Sequence, residues 1–149
     1  MFKHILLPTD GSALAAKGVK SGVRLAKALG ARVTGVFVIA PYLPPMAPEA
    51  AVMAASALDP RDYDKAAQAQ ATKALARLER EARDAEVRCA TQSVTAAQPW
   101  QGILKVARAR RCDAVVIASH GRGGLGGLIL GSQTARVLAH SKIPVLVIR

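Results

Sequence analysis

Aromatic residues are nearly missing from this chain: Phe, Trp and Tyr together make up 3% of its 149 residues. A core must therefore be built from Ala, Val, Leu and Ile. Cysteine is also scarce. Cys89 and Cys112 are the full complement, and neither lies in a CxxC, so reduced core thiols are expected rather than a disulfide framework or a metal site. Long apolar runs are lacking. Nothing approaches the roughly 20 residues that span a bilayer, and the opening MFKHILLPTDGS is too short and too early interrupted to act as a secretory signal. A soluble, cytoplasmic protein with no membrane association is expected. The last deficit is acidic: 10 Asp and Glu stand against 21 Lys and Arg, for a net charge of +11.

The remaining composition, 51% hydrophobic and 21% charged, is that of a globular chain. Its length suits one domain over residues 1–149, burying roughly 68–70% of its unfolded surface. The positive charge favours anionic partners and also serves solubility. The charges are spread along the chain, and no RNP-like aromatic motif or zinc-finger spacing accompanies them. Nucleic acid is therefore not expected as a partner.

Strand and helix signals alternate. Apolar runs at 4–7, 33–39, 114–118 and 145–148 read as strands, and a weaker alternating run at 87–94 suits a half-exposed edge. Helical spacing runs from 12 to 29 and stops at Gly30. Further helices are expected at 60–84, after Pro99, and from Ser132 to His140. On the 60–84 helix, Arg77/Glu81, Glu79/Arg83 and Arg80/Asp84 stand four apart, the spacing of a solvated, paired face. The expectation is an α/β fold: a five-stranded parallel sheet, open and doubly wound, with helices on both faces. Residues 41–59 break the pattern with four prolines and little charge, as a lid, a partner surface or a mobile insert would.

Ligands bind such sheets beyond the carboxyl ends of the strands, at the switch point. Two segments there carry useful chemistry, provided strands one and four are neighbours. One is Pro8-Thr9-Asp10-Gly11-Ser12. The other is AVVIASHGRGGLGGLILGS, a strand emptying into a glycine-rich loop and then a helix. Its glycines leave backbone N–H groups free to wrap a phosphate, and the helix from Ser132 points its positive end to the same place. The loop is no Walker motif, because the obligatory lysine is replaced by Ser132. It is also a poor dinucleotide fingerprint, since it follows the fourth strand.

On these residues the chain resembles the universal stress proteins. The features are an N-terminal strand ending in Pro8-Thr9-Asp10-Gly11-Ser12, a Gly-x2-Gly-x9-Gly-Ser loop, and the closing Pro144-Val145-Leu146-Val147. Ala118 stands where that loop's first glycine belongs, adding a Cβ expected to approach a ribose. The resemblance implies the family's adenine-nucleotide alpha-hydrolase-like, Rossmann-like fold and an ATP-binding sensor or regulator of a stress response, with Mg²⁺ as a companion ion. It implies that Pro8, Thr9 and Asp10 meet the adenosine, with Val38 lining the adenine pocket. Gly121, Arg122, Gly131 and Ser132 would hold the phosphates, with Ala118, His120, Gln133 and Thr134 in the same pocket. It also implies a homodimer through the apolar strand at 144–148.

Other roles stay open. Asp10 could cap the first helix in competition with Ser12, or help hold Mg²⁺ through water. Ser132 is expected as an N-cap in either case. His120 has no nucleophile or acid partner identifiable from spacing, so no catalytic residue is assigned. Trp100, His4 and His140 read as packing or solvated residues. The alternatives are a stress protein acting by protein contacts alone, a slow ATP hydrolase or phosphotransfer enzyme, and, resting on the +11 charge alone, a nucleic-acid binder.

Overall fold

In the computed structural model, which describes residues 1–42, 59–119 and 130–149, strands and helices alternate throughout. They are β1 (His4–Pro8), α1 (Ala13–Leu29), β2 (Arg32–Ile39), α2 (Pro60–Asp84), β3 (Cys89–Thr95), α3 (Pro99–Ala109), β4 (Ala114–Ala118), α4 (Ser132–His140) and β5 (Val145–Ile148). All strand pairings are parallel, in the order β3-β2-β1-β4-β5. The fold is thus the doubly wound α/β sheet expected from the sequence. Most of the 41–59 segment lies outside the described residues.

Residue parity in β1 explains its unbroken apolar run. Ile5 and Leu7 face one way, into a cluster with Val19, Val23 and Ala26 of α1 and Leu78 and Ala82 of α2. Leu6 faces the other way, joining Ile103, Val106 and Ala107 of α3 and Val137 of α4. With both faces covered there is no polar side to the strand, and Ile5, Leu6 and Leu7 are fully buried. β3 lies at the sheet edge, and its residues alternate between half-buried and exposed.

At the amino ends of the strands, three helices close with one device. A residue one or two positions past each helix end takes a left-handed conformation: Gly30 (φ 63°), Glu86 (φ 56°) and Arg111 (φ 52°). The next residue then donates its N–H five residues back: Ala31 to Ala26, Val87 to Ala82, and Cys112 to Ala107. This is the Schellman closure, and each returning residue is buried. It explains why β3 starts at Cys89 rather than 87: Val87 is engaged in closing α2. The three spaced pairs expected on α2 do not form. Among the described residues the ion pairs are Lys27–Glu86 (2.6 Å) and Lys65–Asp62 (4.0 Å), while Glu79 accepts a hydrogen bond from the Thr91 hydroxyl.

The same edge is latched by Asp113. Its carboxylate accepts from the N–H groups of Lys3 (2.8 Å) and His4 (3.0 Å). Partial burial raises its pKa, but those two backbone donors outweigh this and hold it below its ordinary value. The buried His4 ring hydrogen-bonds the Thr34 hydroxyl at 2.8 Å. Burial first, and then the Arg32 charge, lower its pKa, against a smaller opposing pull from Asp113.

Candidate functional site

The carboxyl end of β1 leads into a turn whose polar groups largely build the turn itself. Thr9, nearly buried, donates its N–H to the Val36 carbonyl (2.9 Å), and its hydroxyl accepts from Gly11 N–H (3.2 Å). Gly11 has φ 79°, which glycine adopts without strain. Asp10 accepts from Ser12 N–H (2.9 Å), and the Ser12 hydroxyl accepts from Ala15 N–H (3.1 Å). Ser12 is therefore the cap of α1, and Asp10 shapes the turn before it.

β1 and β4 are neighbours, as the site requires. Their ladder pairs Ile5 with Ala114 and Leu6 with Val115 and is not continued at Leu7 and Pro8, whereas the β1–β2 ladder runs through Pro8. Proline has no N–H to donate. The ladder between the strands stops at Leu6, at the point where the winding reverses, and Pro8, Thr9 and Asp10 follow at the carboxyl end of β1.

The second segment runs from β4 to α4. Ser119 N–H donates to the Ile148 carbonyl (2.7 Å), and Gly131 N–H returns to the Ser119 carbonyl (2.8 Å). The loop between them therefore starts and finishes at one place. His120, Gly121 and Arg122 lie outside the described residues. Thr134 Oγ1 donates to the Ala118 carbonyl (2.9 Å), tying the first turn of α4 to the strand.

Ser132 is not the cap expected from its residue type. Gly131 holds that position, with no side-chain hydrogen bond, and Ser132 is the first helical residue. The bond from Gly131 to Ser119 fixes where the chain enters the helix, which leaves glycine in the cap seat. The other helices are better covered: α1 by Ser12, α2 by Asp59 on Arg61 N–H, and α3 by the Gln133 side chain on Trp100 N–H (3.2 Å). Among the described residues no side chain covers the start of α4. Its first-turn N–H groups and positive dipole end suit an anion. The Gln133 and Thr134 side chains are thus engaged within the fold, and what these residues offer a ligand is backbone.

Val38 is half-buried near the end of β2, packed against the cluster beneath α3. The Ala118 methyl lies on the α1 side of β4. A Cβ placed on Gly18 of α1 would lie 3.3 Å from the Ala118 Cβ, so this methyl faces the α1 interface. Trp100 packs, its ring stacked on His140 with centroids 4.5 Å apart. Burial first raises both thiols to about 11, which makes Cys89 and Cys112 poor nucleophiles.

One feature beside the turn has no signal in the sequence. A cleft of about 620 Å³ runs from Gly11 along one face of α2, where Tyr63, Gln70, Lys73 and Arg77 line it. The Tyr63 hydroxyl donates to the Ala40 carbonyl (3.1 Å), and its ring meets Tyr42 edge-on. Lys73 and Arg77 place positive charge within the cleft. Among the described residues no group of three or more His, Cys, Asp or Glu side chains could hold a metal. A Mg²⁺ ion would suit this site as the companion of a polyphosphate rather than in a protein cage.

The family model described as the universal stress protein family matches residues 1–149. The chain belongs to that family. A curated relative, Universal stress protein MJ0531 of Methanocaldococcus jannaschii, is 25% identical over 151 residues, covering 100% of this chain and 83% of the relative. Two solved structures share the fold. A universal stress protein in complex with cAMP superposes with TM-score 0.72 at 23% identity, covering 99% of this chain and 97% of the other. The universal stress protein from Archaeoglobus fulgidus in complex with dAMP gives TM-score 0.67 at 16% identity, covering 100% and 98%. At these identities the likeness carries the architecture of this universal stress protein and leaves its ligand to be argued from the site. No described helix is long and apolar enough to cross a membrane.

Proposed function

We propose that this universal stress protein binds ATP, accompanied by Mg²⁺, and acts in the cytoplasm as a sensor or regulator in a stress response. The observation that carries the reading is the start of α4 at the sheet's switch point, which no side chain among the described residues caps. Backbone N–H groups of Ser132, Gln133 and Thr134 meet the phosphates there, with Gly131 leaving the approach clear. Pro8, Thr9 and Asp10 meet the adenosine across the crevice, with Val38 beside the adenine, and His120, Gly121 and Arg122 complete the phosphate side. Ala118 supports the site from β4. The cAMP and dAMP complexes of relatives agree with an adenine nucleotide as the ligand class.

Titration calorimetry with Mg-ATP tests the reading. Saturable heat below millimolar nucleotide is expected. No heat and no thermal shift at millimolar Mg-ATP would leave a stress protein acting through protein contacts alone. Steady phosphate release, lost on changing Asp10 or His120, would instead make it a hydrolase.

Assembly follows from β5. This last strand lies at the sheet edge, and Leu146 is 48% exposed. An apolar edge with unpaired backbone groups invites another strand, and pairing with its own copy about a two-fold axis covers it. A dimer through 144–148 is the expected mass by light scattering at tens of micromolar protein, and a monomeric mass there refutes it.

A further inference from the structure

Charges dispersed along the sequence are gathered by the fold at the pole opposite the nucleotide site. The residues leading into successive strands across the sheet are Arg88 for β3, Arg32 for β2, Lys3 for β1, Arg108 and Arg111 for β4, and Lys142 for β5. Backbone bonds hold them side by side. Arg32 N–H donates to the Lys3 carbonyl (3.0 Å), and Val33 N–H donates to the Arg88 carbonyl (2.8 Å). At about 4.8 Å per strand, the row spans about 19 Å. All six side chains are exposed, and none makes a side-chain bond to another described residue. The row's one carboxylate, Asp113, is turned onto the N–H groups of Lys3 and His4. Glu86 is held by Lys27, and Glu81 and Asp84 on the last turn of α2 are matched in number by Arg80 and Arg83.

Arg111 occupies the left-handed seat that Gly30 fills at the end of α1 and Glu86 at the end of α2, so glycine fits that backbone without strain.

We propose that this amino pole binds the phosphate backbone of double-stranded nucleic acid without regard to sequence. Four of the six cations are arginines, whose planar fork matches phosphate oxygens. No described aromatic side chain is exposed at this pole to stack on unpaired bases, which favours a duplex over a single strand. The large hydrophobics exposed anywhere on the described surface are Met1, Leu138 and Leu146. These are too few and scattered to seat an interface in lipid.

The test is fluorescence anisotropy of a labelled random-sequence DNA duplex with the full-length protein. Contact with about four phosphates predicts an affinity falling roughly 100-fold between about 50 and 200 mM salt. Arg88→Gln combined with Arg111→Gly should weaken binding about tenfold, with the melting temperature held or raised. Lys17→Gln with Lys20→Gln removes the same charge from the first turns of α1 and should change affinity less than about twofold. Equal losses from the two double variants would mean that net charge alone binds the duplex, and would overturn the proposal. So would no binding at low salt, equal or tighter binding of the matching single strand, or preferential sedimentation with phosphatidylserine vesicles.

Discussion

The two poles of the sheet are finished in opposite ways. At the amino pole α1, α2 and α3 end with one device, a left-handed residue followed by a buried one returning its N–H five positions back. At the carboxyl pole the four described helices begin differently: a serine cap, an aspartate cap, a glutamine borrowed from a neighbouring helix, and bare glycine. At the amino pole these three closures return the backbone N–H groups to the helices, so the surplus there is side-chain charge. The irregular pole leaves backbone donors exposed at one helix, so its surplus is N–H groups. Both surpluses attract anions, by different means.

The sharpest way to break this contrast is to finish the unfinished helix. Gly131 has φ −58° and ψ 141°, which any residue adopts, and aspartate is a preferred cap. Gly131→Asp should raise the melting temperature, because the new carboxylate takes the first-turn N–H groups. For the same reason it should lower Mg-ATP affinity roughly 100-fold, through the loss of charge-assisted hydrogen bonds worth about 2–3 kcal/mol. Calorimetry and a thermal melt on one sample read both. Unaltered affinity would remove α4 from the phosphate site.

At the amino pole the corresponding test is to open what is closed. Asp113→Ala removes the acceptor of the Lys3 and His4 N–H groups, and should lower stability by about 1 kcal/mol in urea unfolding without touching nucleotide affinity. Acid should probe the same latch in two steps. His4 is held neutral by burial, so its contribution is full above 6.5. As pH falls through that value the unfolded chain takes a proton that the fold refuses, and stability declines. The Asp113 carboxyl is depressed below 3.8, so its contribution persists above that value and is lost as pH falls through the lower, folded one. Only the upper step should survive in Asp113→Ala. A smaller effect checks the closing device itself. Gly30→Ala meets no atom within 4 Å, so its expected loss of about 1 kcal/mol is backbone strain alone. Glu86→Gly should move the unfolding midpoint the other way.

Periodicity and residue type made the fold legible. The 60–84 helix starts on Pro60 after Asp59, and the 114–118 and 145–148 strands are short apolar runs after a polar turn. The site was legible as two segments, because strands one and four had to be neighbours for either to matter. Three things were hidden. Ser132 has the residue type of a cap, but the bond between Gly131 and Ser119, from positions twelve apart, decides the seat. Glu86 and Arg111 adopt a conformation that sequence assigns to glycine, so 87 looked like strand. The six cations of the amino pole come from five separate segments, and only the strand order makes them a row.

The smallest expected effect bears on Ala118, the one departure from the glycine motif at the described end of the loop. If its methyl crowded the ribose, Ala118→Gly would tighten nucleotide binding. The methyl instead meets Gly18 of α1, and the contact is mutual: a Cβ on Gly18 would come within 3.1 Å of the Ala118 backbone nitrogen. The pair lets α1 lie close to β4, and α1 begins at the Ser12 cap directly after the Thr9-Asp10 turn. Ala118→Gly should therefore leave Mg-ATP affinity within about twofold and lower stability by about 1 kcal/mol, the effect of one lost methyl and a looser backbone. Gly18→Ala should do more, since it pushes the helix carrying the adenosine side of the crevice off the strand carrying the phosphate side. Tighter binding in Ala118→Gly would mean that the ribose, and not α1, is what this alanine faces.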